Sequence, residues 1–324
     1  MKFTVKIILL LGVTAVLCSL IVWLRHHPLT PHSTVVETPQ QARSTEVSRL
    51  ARPVPAAPIV AARAVTGIPD KIPDSLQSIL APVVETPFAE RVKTLRALPP
   101  NLTVDEIHSF YTFLSAPAQV GSDNREYENW LRNGIMDKLV QAPALPAGLP
   151  QLLLSIYQDP AQDIVMRDYA VQHIVPVYPH ASTEEKGTLQ QMLWQATEET
   201  GSSIAGTALL ALHDLAQDRG ELDPNKIGGT ALKVAGDDRY GELSRITALQ
   251  ICGRMGVTQA EPLILGLTQN AGSVPLQISA IAALGDIGNE KSRNHLRQLA
   301  LQAEPRLMPA LASALKKLNL HLGI

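Results

Sequence analysis

The chain predicts an all-α fold, an α-solenoid of stacked antiparallel helix pairs preceded by one transmembrane helix and a disordered tether. Three observations predict it. A helical stretch, VPLQISAIAALGDIG at 274–288, returns in altered form about every thirty to forty residues. An acidic residue or Val followed by Pro repeatedly opens an apolar run of helical period, as at Asp223-Pro224 and Val274-Pro275. Near the amino terminus, residues 7–24 form an apolar run without a charged side chain.

That run, IILLLGVTAVLCSLIVWL, lies between Lys2 and Lys6 on one side and Arg25 on the other. At 1.5 Å per residue it covers about 27 Å, enough to cross a hydrocarbon core. A cleaved signal peptide has a shorter apolar core and small residues at the cut, whereas this run continues to Trp23 and Leu24, so an uncleaved signal anchor over 1–25 is expected. A lipoprotein reading would use Cys18, but the bulky Leu17 stands directly before it. Lys2, Lys6 and the amino terminus outweigh Arg25, which places the short tail in the cytoplasm and the rest of the chain on the periplasmic side of a bacterial inner membrane.

From 26 to 75 the composition turns to Pro, Ala, Val, Thr and Ser, clearest in PVPAAPIVAARAV. Too few large apolar residues are present for a core, so this stretch reads as a tether with a span of roughly 40 Å. Charge marks the same boundary. Through residue 75 there are 8 Lys and Arg against 4 Asp and Glu; residues 76–324 hold 20 against 26. A net acidic domain with 4% aromatic residues argues against nucleic acid as the partner, because phosphate binding needs clustered positive charge and bases need stacking platforms.

Residues 76–324 read as helix throughout. Thr86-Pro87 opens the first run, with Phe88, Val92 and Leu95 at helical spacing, and Thr103 with Glu106 forms a capping-box pattern ahead of Ile107, Phe110 and Leu114. Asp159-Pro160, Asp223-Pro224, Glu261-Pro262, Val274-Pro275 and Glu304-Pro305 each precede another run. Aligned on Ala280, the repeated helix has copies at Ala248, Ala208, Ala170, Ile135 and, more drifted, Leu311. Four residues after these anchors stand Leu139, Ile174, Leu212, Cys252, Leu284 and Leu315, so each copy carries a one-turn apolar pair. Partner helices are expected at 151–158, 183–199, 224–235, 262–270 and 290–302. No such pair can bury both its faces alone, so neighbours must stack.

The repeat, with its ALGDIG signature at 283–288, resembles the short bacterial form of the HEAT-repeat family over roughly residues 86–318. The resemblance implies a right-handed curved solenoid whose concave face binds a protein or peptide. The same signature is also similar to the phycobilisome-lyase type of HEAT-like protein, which implies an accessory enzyme handling bilins. No residue of this chain carries over as catalytic, and no enzyme activity or cofactor is expected. The preferred expectation is a membrane-tethered scaffold; an open groove would favour it, and a pocketed cluster of His, Cys or carboxylates would favour the enzyme.

The strongest site candidate is a ladder. Three residues before the anchors stand Arg132, Arg167, Ala205, Arg245, Gln277 and Met308. In a stack, equivalent positions line one surface, so Arg132, Arg167, Arg245 and Gln277 form either a partly basic stripe for an acidic partner segment or a set of internal bonds to neighbouring carboxylates and carbonyls. Cys252 occupies a core slot and reads as a buried small hydrophobe. His173 and His180 lack the spacing of a metal site, and no HExxH, Walker loop, GxSxG or dinucleotide fingerprint occurs. The adjacent pairs Glu184-Glu185 and Glu198-Glu199 read as solvated surface, and Asn101-Leu102-Thr103 matches a glycosylation acceptor whose Thr103 is already explained as a cap. In the tail, Leu318, Leu320, Leu322 and Ile324 alternate with Asn319, His321 and Gly323. Period two predicts an extended segment, either folded back as a cap over the last pair or added to a partner's sheet edge.

Overall fold

The computed structural model describes residues 72–82, 85–118 and 121–323. The membrane segment expected at 7–24 and all but the last residues of the expected tether lie outside them. Among the described residues there is no strand, and no helix is long and apolar enough to cross a membrane.

Helices follow in pairs: α1 (Gln77–Leu80) with α2 (Phe88–Ala97), α3 (Val104–Ser115) with α4 (Ser122–Val140), and α5 (Leu149–Gln158) with α6 (Ile164–Gln172) and its continuation α7 (Ile174–Val177). Then come α8 (Thr183–Ala196) with α9 (Ile204–Arg219), α10 (Pro224–Gly236) with α11 (Glu242–Arg254), α12 (Glu261–Gln269) with α13 (Val274–Ile287), and α14 (Glu290–Ala300) with α15 (Met308–Leu322). The second helix of each pair touches the second helix of the next, so α2, α4, α6, α9, α11, α13 and α15 form one continuous row. The pairs therefore stack in series as a solenoid does, and the apolar core runs unbroken between the layers.

The anchors set this row. Ile135, Ala170, Ala208, Ala248, Ala280 and Leu311 are all fully buried, as are Leu139, Ile174, Leu212, Cys252 and Leu284 one turn later. Leu315 alone of that series is half-exposed, since among the described residues no further pair packs on α15. Small residues let the helices close up. A Cβ on Gly253 would lie 3.3 Å from the Ala283 Cα, and one on Gly285 would lie 2.8 Å from the Ala314 Cα. In both places a glycine five residues after one anchor meets an alanine three residues after the next. The repetition of this contact puts the drifted last copy in register at Leu311. Like ends of these helices meet like ends, so the row is parallel.

Capping confirms several helix starts and moves others. Thr103 and Glu106 form the expected reciprocal capping box, and Asp223 caps α10 ahead of Pro224. Asp159-Pro160 is instead the turn that closes α5, and α6 begins four residues after Pro160, capped by Asp163. Glu304-Pro305 likewise lies in a turn, with α15 opening at Met308. The anchor helix of Ala170 breaks at His173, between α6 and α7. Pro176 explains this, since it has no N–H for the Gln172 carbonyl and its ring crowds that turn.

The tail is the largest departure from expectation. α15 continues through Leu322 and ends at Gly323 in the left-handed region (φ 71°), so 318–322 is helix and not extended chain. Leu311, Ala314 and Leu318 are buried on one face while Leu320 and His321 point to solvent. Leu311, Leu315, Leu318 and Leu322 recur at helical spacing while Leu320 lies on the opposite side, so the burial of Leu318 with Leu311 and Ala314 follows the helical period and not the alternation.

Candidate functional site

The arginine ladder is real as a register, and each rung is directed inward along its own pair. Arg132 Nη1 donates to the Ala116 carbonyl at 2.6 Å, Arg167 Nε to Tyr157 at 2.7 Å, Arg245 Nε to Ala235 at 3.2 Å, and Gln277 Nε2 to Thr268 at 2.7 Å. All four acceptors lie at the carboxyl end of the preceding partner helix: α3, α5, α10 and α12. Those carbonyls have no intrahelical donor, and they sit at the negative end of the helix dipole, so a long cationic or amide donor satisfies them. Position 205 is Ala, and there Thr197 closes α8 through its own hydroxyl to Trp194.

Sequence reasoning missed one rung. Arg91 Nε donates to the Ile79 carbonyl at 2.8 Å, the last turn of α1, so the series starts one pair earlier than the anchors implied. The signal was an arginine 41 residues before Arg132; it was hidden because Thr94 stands where the other copies carry an aliphatic anchor.

Carboxylates tie the rungs together. Glu128 lies between Arg91 (3.0 Å) and Arg132 (3.2 Å), and all three are buried. Arg132 also stacks over Phe113, with its guanidinium 4.5 Å from the ring centroid. Arg167 pairs across to Glu199 of the following connection at 2.6 Å, and Glu198 pairs with Lys233 at the exposed surface. Glu199 therefore joins neighbouring repeats, beyond the solvated role expected of it. At 3% exposure Arg132 offers nothing to a partner, while Arg167, Arg245 and Gln277 are half-buried around their carbonyl bonds.

Outward-facing side chains stand at other offsets. Five residues before the anchors the row reads Trp130, Val165, Ser203, Leu243, Pro275 and Arg306. Trp130 is 47% exposed and Leu243 63% exposed, with Val165 also open to solvent. At the first pairs this edge widens into an aromatic group, Phe88 with Tyr127 (ring centroids 5.0 Å apart) and Trp130 (6.3 Å). Six residues after the anchors, at the opposite helix ends, stand Asp214, Arg254, Asp286 and Lys317. Lys317 bonds Asp286 at 2.6 Å; Arg254 is exposed and has no ion-pair partner among the described residues. Arg254, Asp286 and Lys317 line a shallow groove together with Gly253, Gly285, Leu320 and His321.

The remaining candidates are accounted for locally. Cys252 is fully buried, and burial pushes its thiol up to about 12, so it is no nucleophile at neutral pH. His173 bonds the Tyr169 carbonyl through Nδ1 (2.8 Å) and Asp137 through Nε2 (3.0 Å). Among the described residues no group of three His, Cys, Asp or Glu could hold a metal ion. No family model matches the chain and no curated protein matches it, so the repeat register is the sole ground for the HEAT resemblance.

Proposed function

We propose that the helical domain is a HEAT-like interaction scaffold that grips a protein or peptide partner along the anchor row. The observation that carries this is the row of large apolar side chains left in water at one register, Trp130, Val165 and Leu243, on successive or nearby anchor helices. Burying apolar area is favourable by about 25 cal/mol per Å², and aligned exposed apolar side chains mark contact surfaces. In this reading residues 7–24 hold the chain in an inner membrane and the tether presents the domain on the periplasmic side. The ladder bonds hold five of the seven described pairs together, which lowers the cost of binding a partner along several repeats at once.

A photo-crosslinking residue at Leu243 of the full chain, expressed in a bacterial inner membrane, tests the surface. The expected result is a discrete protein adduct that disappears when Trp130 and Val165 are both changed to Ser. A label at exposed Lys226, on the opposite helix layer, supplies the comparison. Equal adducts from both positions contradict the assignment. Protease added to spheroplasts tests the topology: the tether is cut if the domain is periplasmic, and a protected domain contradicts it.

A further inference from the structure

The ladder arginines are spent on carbonyls, so any recognition of an acidic partner must use other cations, and those are unevenly placed. Residues 290–324 hold six Lys and Arg against two Glu, whereas residues 76–289 hold 14 Lys and Arg against 24 Asp and Glu. The helical domain is thus acidic along most of its length and basic over its last pair. The groove at the carboxyl-terminal edge of the last three anchor helices lies at this basic end.

Its chemistry is specific. Arg254 projects from the end of α11 with its five guanidinium donors unpaired among the described residues, and Lys317 gives one of three donors to Asp286. His321 stands on the rim. Leu320, one residue before it, is 75% exposed although it belongs to a helix whose other face is core. Gly253 and Gly285 are taken up by the close approach of α13 and α15, respectively, and the groove above that contact is shallow and open to solvent between Arg254 and Lys317, as an extended backbone requires. We propose that this groove receives an extended acidic segment of a partner protein, its carboxylates on Arg254 and Lys317 and a neighbouring apolar side chain against Leu320. The inference rests on the scaffold reading and adds the partner's chemistry to it. Charge complementarity carries it: a fork-shaped guanidinium and an ammonium flank one apolar contact, and the acidic surface elsewhere repels the same ligand.

The probe is a fluorescein-labelled decapeptide built of Glu, Leu and Gly, with a version carrying Lys for Glu as its control. Both are titrated against the full chain in detergent micelles by fluorescence anisotropy. The acidic probe is expected to bind, the basic one not. Arg254→Glu should weaken binding about tenfold, roughly the 1.4 kcal/mol of one charge-assisted contact, and Arg254→Glu with Lys317→Glu should abolish it. Lys93→Glu with Arg96→Glu makes the same change of net charge on exposed α2 and should leave binding unaltered. An unchanged melting curve shows that the Arg254→Glu variant is folded. The proposal is overturned if the acidic probe fails to bind, if both reversal pairs weaken it equally, or if Arg254→Glu has no effect. It is also overturned if vesicles of phosphatidylglycerol or a second copy of the chain, seen as concentration-dependent self-association, compete for the groove better than the peptide does. None of these results alters the Leu243 adduct, so the scaffold reading stands or falls separately.

Discussion

At the residue scale, the repeat depends on side chains that are missing. Gly285 approaches Ala314 so closely that an added Cβ has backbone at 2.8 Å, whereas Gly229 in the middle of α10 has nothing within 4 Å. Gly285→Ala should therefore cost about 1–3 kcal/mol by overpacking. Gly229→Ala should stabilise by about 0.5–1 kcal/mol, since alanine is the better helix former. Urea unfolding of both variants checks the opposite signs; a gain at Gly285 would mean that α13 and α15 do not approach as described. Asp168 supplies a test in pH. Its carboxyl accepts from Ser203 across the joint between α6 and α9, while Oδ1 is buried without a hydrogen-bond partner. Burial raises its pKa above the ordinary 3.8, against weaker lowering by the Ser203 and Thr207 hydroxyls. The folded state thus holds the proton more tightly than the unfolded one, and stability falls as pH rises from the unfolded value through the raised folded value. Asp168→Asn should melt higher than the native chain at neutral pH, and the difference should vanish below about pH 3.8. Melting curves at pH 3 and pH 7 read it directly.

At the element scale, five of the seven described pairs are closed by a donor from the second helix to the carboxyl end of the first, and the first two rungs share a buried carboxylate. Removing that carboxylate leaves two guanidinium groups uncompensated away from water. Glu128→Gln should cost about 3–5 kcal/mol, while Glu90→Gln on the exposed face of α2 should stay within about 0.5 kcal/mol. Denaturant midpoints distinguish the two. Much of this was legible in the sequence. Ala170, Ala208, Ala248 and Ala280 could be aligned because a small residue recurs wherever helices approach closely, and the partner helices fell within a few residues of their expected limits. The direction of the ladder was not legible. Spacing shows that Arg132, Arg167 and Arg245 share a face; it does not show that the open carbonyls of α3, α5 and α10 end within reach of them. The tail misled for a different reason: an alternation as short as Leu318, Leu320 and Leu322 also arises inside a helix, where Leu318 and Leu322 share a face and Leu320 turns to solvent. The exposed apolar edge was missed because Trp130, Val165 and Leu243 look like core residues until the anchor register shows which way they face.

At the scale of the helical domain, the last helix of the row differs from those before it. Gly253 and Gly285 admit the next anchor helix five residues after their anchors, and at the corresponding place in α15 stands Lys316, exposed. A lysine there costs too much to bury, so α15 does not offer the close helix contact that Gly253 and Gly285 make. The same last pair carries the excess of basic residues, so it is distinct in charge from the rest of the helical domain. The central claim is that the residues sharing the ladder register hold the repeats together while other registers face the partner. Thermal unfolding of Arg132→Met in the full chain tests this most directly. Loss of the guanidinium leaves the Ala116 carbonyl and one Glu128 oxygen without their donor, at about 1–3 kcal/mol for each buried group. For a domain of this size that lowers the melting temperature by roughly 2–4 °C per kcal/mol. The account predicts this drop together with undiminished binding of the acidic probe; an unchanged melting temperature with binding lost would contradict it and return the ladder to the surface as the binding stripe.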